Sequence, residues 1–225
     1  MNHSHICVTG GTGFVGQEVI SKLLENGYHV RALVRTDRSS KKLSQVKQQY
    51  PSKLEFVLGD ATEPNDVIRA LDGCDALIHL VGTKREESKR TGLNYVDVDL
   101  ASALASAIAM QRSGIKRILF LSAGAIGNSE YIRTKAKAEQ AIMEPKLDWT
   151  IFRPAFIVGP GQQWPVLMGP FLWLLGLSPG KLGDTARRAG NITREVLAQS
   201  FIIALKDDRT IGKILEVPDL KKMMA

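Results

Sequence analysis

A glycine-rich stretch near the start of the chain, ICVTGGTGFVG, constrains the fold more than any other segment. Gly10, Gly13 and Gly16 form the pattern G-x-x-G-x-x-G between an apolar strand and an amphipathic helix. Glycine is unfavourable inside strands and helices because it loses the most backbone freedom when it is ordered. We therefore expect a tight turn whose bare backbone approaches another group closely, with the amides of a helix N-terminus facing an anion.

Strand and helix patterns alternate along the chain up to Pro154. The strand candidates are rich in Val, Ile and Leu, and helical periodicity is found between them, as over Tyr95–Ser113 and Ser39–Gln49. This alternation predicts an α/β fold with a doubly wound, Rossmann-like parallel sheet and a small C-terminal substrate or lid lobe. We assign 1–160 to a dinucleotide-binding domain and 161–225 to a small lobe packed on the same domain.

The composition is that of an ordinary soluble globular protein, with 44% apolar and 24% charged residues. The two cysteines, Cys7 and Cys74, predict reduced thiols rather than a disulfide framework. The first strand begins too early to leave room for a signal peptide, so we expect a cytoplasmic location. The histidines and cysteines lack metal-ligand spacing, and the basic residues lack interleaved aromatics, so neither a metal site nor a nucleic-acid partner is expected.

The glycine pattern predicts a dinucleotide site because of where it lies. Gly10 permits the tight turn, Gly13 lets backbone amides approach a pyrophosphate, and Gly16 lets the helix pack close to the strand. A simple flexible turn is the alternative interpretation of such a triplet. The preceding strand and the following helix favour dinucleotide binding.

The end of the second strand predicts which dinucleotide is bound. NAD-specific sites carry an acidic residue there, whereas this chain has Val34 followed by Arg35. A guanidinium can pair with a 2′-phosphate that a carboxylate would repel, so NADP(H) is preferred over NAD(H). Asp37 is the competing acid, although it comes three residues late. A solvated basic face, formed by the excess of Arg and Lys over 31–47, is the alternative.

Five segments resemble the atypical short-chain dehydrogenase/reductase superfamily: VTGGTGFVG, GDATEPNDV, FLSAGA, YIRTKAKAEQAI and DWTIFRPAFIVGPG. The most similar group is the NAD(P)H-binding one that includes the complex I 39-kDa subunit, with NmrA-like redox sensors nearby. The resemblance implies a set of cofactor contacts. The pyrophosphate would be contacted by Thr12, Gly13, Phe14 and Val15, and the adenine by Asp60 and Ala61. Leu80, Val81 and Gly82 would lie along the ribose, and Pro154 to Ile157, including Phe156, would border the nicotinamide.

The same resemblance implies a catalytic set of Ser122, Tyr131 and Lys135. Residues four apart share a helix face, so Tyr131 and Lys135 can point at one site. A nearby ammonium favours the phenolate, which makes the tyrosine a usable acid or base, and the lysine can also hydrogen-bond the nicotinamide ribose. A surface tyrosine on a lysine-rich helix is the alternative.

Two functions remain open. The first is an NADP(H)-dependent carbonyl or hydroxyl oxidoreductase acting on an unknown small molecule, and the second is a non-catalytic redox sensor or accessory subunit. The short separation between Ser122 and Tyr131, and Asp97 where related enzymes have asparagine (with Asn94 close by), favour the second. The apolar segment 164–177 is expected either to cover the nicotinamide or to contact a partner protein or membrane surface.

Overall fold

The computed structural model describes residues 4–82, 92, 94, 96–124, 129–161, 180 and 190–224. Its strands are β1 (His5–Thr9), β2 (His29–Val34), β3 (Leu54–Leu58), β4 (Ala76–His79), β5 (Arg117–Leu121), β6 (Asp148–Arg153), β7 (Phe156–Val158), β8 (Asn191–Thr193) and β9 (Lys213–Glu216). Its α-helices are α1 (Phe14–Glu25), α2 (Asp37–Ser40), α3 (Ser44–Gln49), α4 (Pro64–Leu71), α5 (Ala101–Ser113), α6 (Ser129–Met143), α7 (Arg194–Lys206) and α8 (Val217–Lys222).

Seven of the strands form one parallel sheet in the order β3-β2-β1-β4-β5-β6-β9. The order of the strands reverses between β1 and β4, which gives the sheet a topological switch point. The predicted Rossmann-like α/β fold is therefore confirmed. In such sheets ligands bind outside the carboxyl ends of the strands at the switch point, where the glycine turn follows β1.

Two hydrophobic clusters cover the two faces of the sheet. On one face α1 and α7 pack together, and Phe152 of β6 stacks on Phe201 of α7 with ring centroids 3.9 Å apart. On the other face α4, α5 and α6 form the covering layer. Each helix contributes a buried side chain to the second cluster: Val67 from α4, Met110 from α5 and Ile142 from α6. Both faces being covered explains why the strands are apolar runs and not alternating patterns.

Two helices differ from the sequence prediction. The segment expected to be a helix over Tyr95–Ser113 begins with a π-helical turn at Val96–Leu100 and becomes α-helical at Ala101. The segment expected to be one helix over Ser39–Gln49 is divided between α2, a 3₁₀ turn at Lys41–Leu43, and α3. Both changes alter which side chains face the sheet edge.

The C-terminal part of the chain contributes to the central sheet. β9 lies beside β6 at the edge, while β7 and β8 form a separate two-stranded parallel sheet. Segment 164–177 lies outside the described residues. Within the described ranges no helix combines the length and the apolarity needed to cross a bilayer.

The two cysteines are free thiols. Burial raises the pKa of Cys7, and it raises the pKa of Cys74 to about 11. Both thiols are therefore protonated at neutral pH.

The turn between β1 and α1 depends on two close backbone contacts. Gly10 has a φ of +73°, and a Cβ there would lie 2.6 Å from the carbonyl carbon of Leu80. A Cβ on Gly16 would lie 2.3 Å from the carbonyl oxygen of Gly10. Real Cβ atoms are not found at such distances, so both positions require glycine.

Replacing Gly10 by alanine is expected to destabilise the chain more than the same change at Gly27. Gly27 also has a positive φ, of +89°, but open space surrounds its missing Cβ. Gly27→Ala should therefore cost about 1–2 kcal/mol of backbone strain. Gly10→Ala adds a backbone clash and should cost about 1–3 kcal/mol more. Urea unfolding followed by circular dichroism measures both, and equal losses would contradict the close contact with Leu80.

Candidate functional site

A cavity of about 440 Å³ opens at the carboxyl ends of β1 to β4. The glycine turn, the end of β2 with the residues after it, and the loops that follow β3 and β4 all contribute to its wall. Most of the predicted cofactor residues line it: Gly10, Thr12, Gly13, Arg35, Asp60, Ala61, Leu80, Val81 and Gly82. Gly13 is also the N-cap of α1, so the unpaired amides of that helix begin at the cavity wall.

Other predicted cofactor residues do not line this cavity. The Phe14 ring packs elsewhere, since a Cβ on Gly159 would lie 2.9 Å from its Cζ and the Arg194 guanidinium carbon lies 5.3 Å from its ring centroid. The Val15 side chain is buried in the core. Pro154 is buried after β6 and Phe156 opens β7. Phe14 and Val15 thus belong to the first turn of α1, which begins directly after the cavity-lining Gly13, but neither residue lines the cavity.

The basic end of the cavity is formed by Arg35, Ser39 and Lys42. Thr36 caps α2 by accepting a hydrogen bond from the Ser39 amide at 3.2 Å, and this turn presents Ser39 and Lys42 on the cavity side. Arg31, at the start of the basic run, is paired with Glu55 at 2.8 Å. The sequence prediction placed Arg35 at this end and gave Lys42 only as part of the basic run over 31–47, and it did not select Ser39. The helical phase of α2 and of the 3₁₀ turn after it is the signal that could have identified both residues.

A second cavity, of about 160 Å³, lies beside α6. Tyr131 and Lys135 both line it, as the four-residue spacing predicts, and the Lys135 Nζ lies 5.8 Å from the Tyr131 ring centroid. Ser122 follows β5 directly and is buried, with its amide donating to the Phe152 carbonyl oxygen at 2.8 Å. Ser122 is not among the residues that line this cavity, although its neighbours Ala123 and Gly124 are.

Lys135 connects the two cavities. Its Nζ lies 2.6 Å from the Asp99 Oδ1, and both side chains are buried. A Cβ on Gly82, which lines the larger cavity, would lie 3.6 Å from the same Nζ. The lysine therefore lies between the tyrosine and the predicted ribose position.

Asp99 is a site residue that sequence reasoning missed. The sequence drew attention to Asp97 and Asn94, which are exposed, and the Asp97 carboxylate accepts a hydrogen bond from the Asn94 amide at 2.9 Å. The π-helical turn turns Asp99 inward instead. A π turn has no reliable sequence signature, so the residue could not be selected from spacing.

A second ion pair, between the buried Glu139 and the half-buried Arg153, fixes α6 one turn further on. Glu139 follows Lys135 by four residues, and Arg153 of β6 donates from Nε to its Oε1 at 2.8 Å and from Nη2 to its other oxygen. The hydrogen bond to Glu139 raises the pKa of Arg153. The helix that carries Tyr131 is therefore tied to the sheet by charge as well as by packing.

His79 lies at the end of β4, fully buried behind the site. Its Nδ1 lies 3.0 Å from the hydroxyl oxygens of Thr9 and Ser106, and its Nε2 lies 3.3 Å from that of Ser102. Burial, followed by the positive charge of Lys135, lowers the pKa of His79 to about 3. The imidazole is therefore neutral at physiological pH, and it acts as a packed and hydrogen-bonded core group.

A switch-point cavity with a glycine turn, together with a Tyr-x-x-x-Lys pair on the helix after β5, defines a dinucleotide-binding protein of the short-chain dehydrogenase/reductase type. The family model for NAD(P)H-binding domains matches residues 10–170. The chain belongs to this NAD(P)H-binding family. The resemblance to atypical short-chain dehydrogenase/reductases found in the sequence is confirmed.

Known proteins similar to this chain are reductases and epimerase-like proteins. A dihydroflavonol 4-reductase of Dianthus caryophyllus is 26% identical over 190 residues, which cover 74% of this chain and 53% of the relative. A ceramide reductase of Caulobacter vibrioides is 30% identical over 159 residues, covering 70% and 47%. The chain thus spans about half the length of these two relatives. A solved Bacillus halodurans structure of NAD-dependent epimerase/dehydratase type shares the fold at 20% identity, with a TM-score of 0.69 and coverage of 94% and 92%.

Acid should destabilise the protein through His79. The folded-state pKa, about 3, lies below the ordinary value of 6.5 for histidine, so the unfolded chain binds a proton that the native state excludes. This contribution to stability is present above the unfolded-state value and is lost as pH falls toward the folded-state value, with a slope of up to about 1.4 kcal/mol per pH unit.

The measurement is the free energy of unfolding in urea between about pH 7 and pH 5. His79→Gln, which keeps a polar side chain without the titration, should show a shallower loss than the wild type. His29→Gln, at an exposed position, is the control and should keep the wild-type slope. Identical slopes in the wild type and His79→Gln would show that His79 is protonated in the native state.

Proposed function

We propose that this chain is an NADP(H)-dependent oxidoreductase that interconverts a carbonyl and a hydroxyl group on a small molecule. The observation that carries the proposal is the position of Lys135. It lines the cavity of Tyr131 and also lies beside Gly82 at the wall of the dinucleotide cavity. Both curated relatives described above are named reductases, which supports the reaction class.

The preference for the phosphorylated cofactor is supported by the groups at the end of β2. Arg35 and Lys42 contribute two cations and Ser39 a hydroxyl, while Val34 takes the position of the acid typical of NAD sites. Asp60 lines the same cavity, but its Oδ1 accepts hydrogen bonds from the Thr62 amide and hydroxyl, both at 2.9 Å. The Ser39 hydroxyl donates its proton to the Thr36 carbonyl oxygen at 2.7 Å, so a phosphate at the basic end would meet chiefly the two cations.

The chemistry of the proposal requires one proton and one hydride. A nicotinamide dinucleotide, held by the glycine turn and by Leu80 to Gly82, would supply the hydride for the carbonyl carbon. Tyr131 donates its phenolic proton to the carbonyl oxygen, which leaves an alcohol and a phenolate that solvent reprotonates. Lys135 holds the ribose side of the site, and Ser122 orients the carbonyl oxygen from the segment that continues into Ala123 and Gly124.

A non-catalytic NADP(H)-binding role is the second candidate. It is favoured by the position of Ser122, which is buried and absent from the residues that line the Tyr131 cavity. A redox sensor or accessory subunit would need the dinucleotide cavity but no proton donor. The two roles differ in whether the protein needs Tyr131 as a proton donor.

Cofactor selection is tested by calorimetry with NADPH and NADH. The wild type should bind NADPH more tightly, because charge-assisted hydrogen bonds hold the extra phosphate. Arg35→Ala and Lys42→Ala should each weaken NADPH binding by about 10-fold to 100-fold and leave NADH binding nearly unchanged. Arg38→Ala, on α2 between the two tested positions but outside the cavity lining, is the matched control. Equal affinity of the wild type for the two nucleotides would contradict the phosphate site.

Catalysis is tested on a panel of aldehydes and ketones by following NADPH absorbance. Tyr131→Phe should lower the rate by about 10²-fold to 10⁴-fold, because the proton donor is lost. The Kd for NADPH should stay within a few-fold of the wild-type value. Tyr50→Phe, outside both cavities, controls for the loss of a hydroxyl. NADPH binding without turnover of any compound would favour the sensor or accessory role, and turnover that persists in Tyr131→Phe would reject the mechanism.

A further inference from the structure

The loop that follows β3 lines the large cavity with four consecutive residues, 59–62. It is joined to the end of β2, because the Gly59 amide donates to the Val34 carbonyl oxygen at 3.0 Å. Further along, the Asp60 Oδ1 accepts hydrogen bonds from the Thr62 amide and hydroxyl, both at 2.9 Å. These two bonds shape the loop internally and do not attach it to the helix behind it.

Asp66, in the first turn of α4, makes that attachment from behind the loop. Its Oδ2 accepts a hydrogen bond from the Asp60 amide at 2.8 Å, and Asp66 is not among the residues that line the cavity. A Cβ on Gly59 would lie 2.8 Å from the Asp66 Cγ, so the loop backbone packs directly on the carboxylate. A hydrogen bond to an ionised acceptor is stronger than one between neutral groups. The carboxylate therefore fixes the position of the loop relative to α4.

The Asp66 carboxylate is itself oriented by Arg69, three residues further along α4. The Arg69 Nη2 lies 3.0 Å from the Asp66 Oδ1, and it donates to the Leu58 carbonyl oxygen at 2.6 Å. The Arg69 side chain is 57% exposed, and an ion pair of that kind contributes little stability of its own. Its effect is to turn the other carboxylate oxygen toward the Asp60 amide.

We propose that Asp66 is a positioning residue for dinucleotide binding, which holds loop 59–62 where the adenine end of the cofactor is predicted to lie. The inference rests on the NADP(H) binding of the proposed function, and it requires no hydride transfer. The groups of a binding site must stay within about 0.5 Å of their productive positions. Without an acceptor behind it, the Asp60 amide would turn toward water and the loop would leave that position.

The proposal is tested by calorimetry with 5′-ADP, the adenine portion that NADH and NADPH share, and with both dinucleotides. Asp66→Ala should weaken 5′-ADP binding by about 5-fold to 50-fold, because the Asp60 amide loses a charged acceptor. The dinucleotide that the wild type binds more tightly should be weakened by the same factor. Asp66→Asn keeps an acceptor oxygen and should restore most of the affinity. Asn65→Ala, at an exposed neighbouring position of α4, is the matched control and should bind like the wild type.

Three results would overturn the proposal. A purely structural role would lower the free energy of unfolding of Asp66→Ala in urea and leave its Kd for 5′-ADP unchanged. Equal losses of affinity in Asp66→Ala and Asp66→Asn would show that the acceptor oxygen is not what positions the loop. A loss of dinucleotide affinity that 5′-ADP does not share would place the effect away from the adenine end.

Gly59→Ala tests the same contact if Asp66→Ala does not fold. It leaves every polar group in place and brings a methyl group to 2.8 Å from the Asp66 Cγ, so the loop and α4 must move apart. The Kd for 5′-ADP should rise by about 5-fold or more, because the loop leaves its productive position. Gly27→Ala strains the backbone outside the cavity lining and should keep the wild-type Kd. An unchanged Kd in folded Gly59→Ala would contradict the role of Asp66.

These measurements need no turnover. A chain that shows the predicted changes in 5′-ADP binding and reduces no carbonyl loses only the catalytic proposal. A chain that reduces carbonyls while Asp66→Ala keeps its affinity retains the proposed function and loses the role of Asp66.

Discussion

The contact between Gly10 and the backbone at Leu80 is the constraint on which the site depends. The Leu80 amide also donates to the Thr9 carbonyl oxygen at 3.0 Å, so the ends of β1 and β4 are joined just before the chain leaves the sheet. The glycine turn and the residues after β4 thus form one rigid wall of the large cavity. With a side chain at Gly10, the amides of α1 and the backbone near Val81 would be pushed apart.

The helix that carries Tyr131, on the other side of the switch point, is fixed by two ion pairs. Lys135 and Glu139 lie four residues apart on one face of α6, and each is paired with a residue from another element, Asp99 and Arg153. Removing Asp99 would leave the buried Lys135 charge uncompensated, and removing Arg153 would do the same to the buried Glu139, so both partners constrain the helix. The helix that carries the tyrosine is therefore held beside the dinucleotide cavity by two ion pairs, one through a cation of the helix and one through an anion of the helix.

Sequence predicted the features that depend on composition and local spacing. Buried parallel strands read as apolar runs, and the glycine pattern needs only its position between a strand and a helix, so the sheet and the turn could be predicted. Ser39, Lys42 and Asp99 depend instead on helical phase, which the short α2, the 3₁₀ turn after it and the π-helical turn each change. The small sheet of β7 and β8 depends on pairing between segments distant in sequence, which local patterns do not reveal.

The charges around the two cavities are distributed unequally, and this asymmetry has a consequence for cofactor orientation. Arg35 and Lys42 lie at the end of β2, whereas the region around Lys135 is neutral overall because Asp99 cancels its charge. A dinucleotide that carries an extra phosphate near its adenine would be drawn to the basic end, because in the part of the chain that the structure describes the cations at the Tyr131 cavity, Lys135 and Arg153, are each paired with a carboxylate. Pairing Lys135 with a carboxylate therefore serves the proposed function, since it leaves the adenine end as the site of strongest attraction.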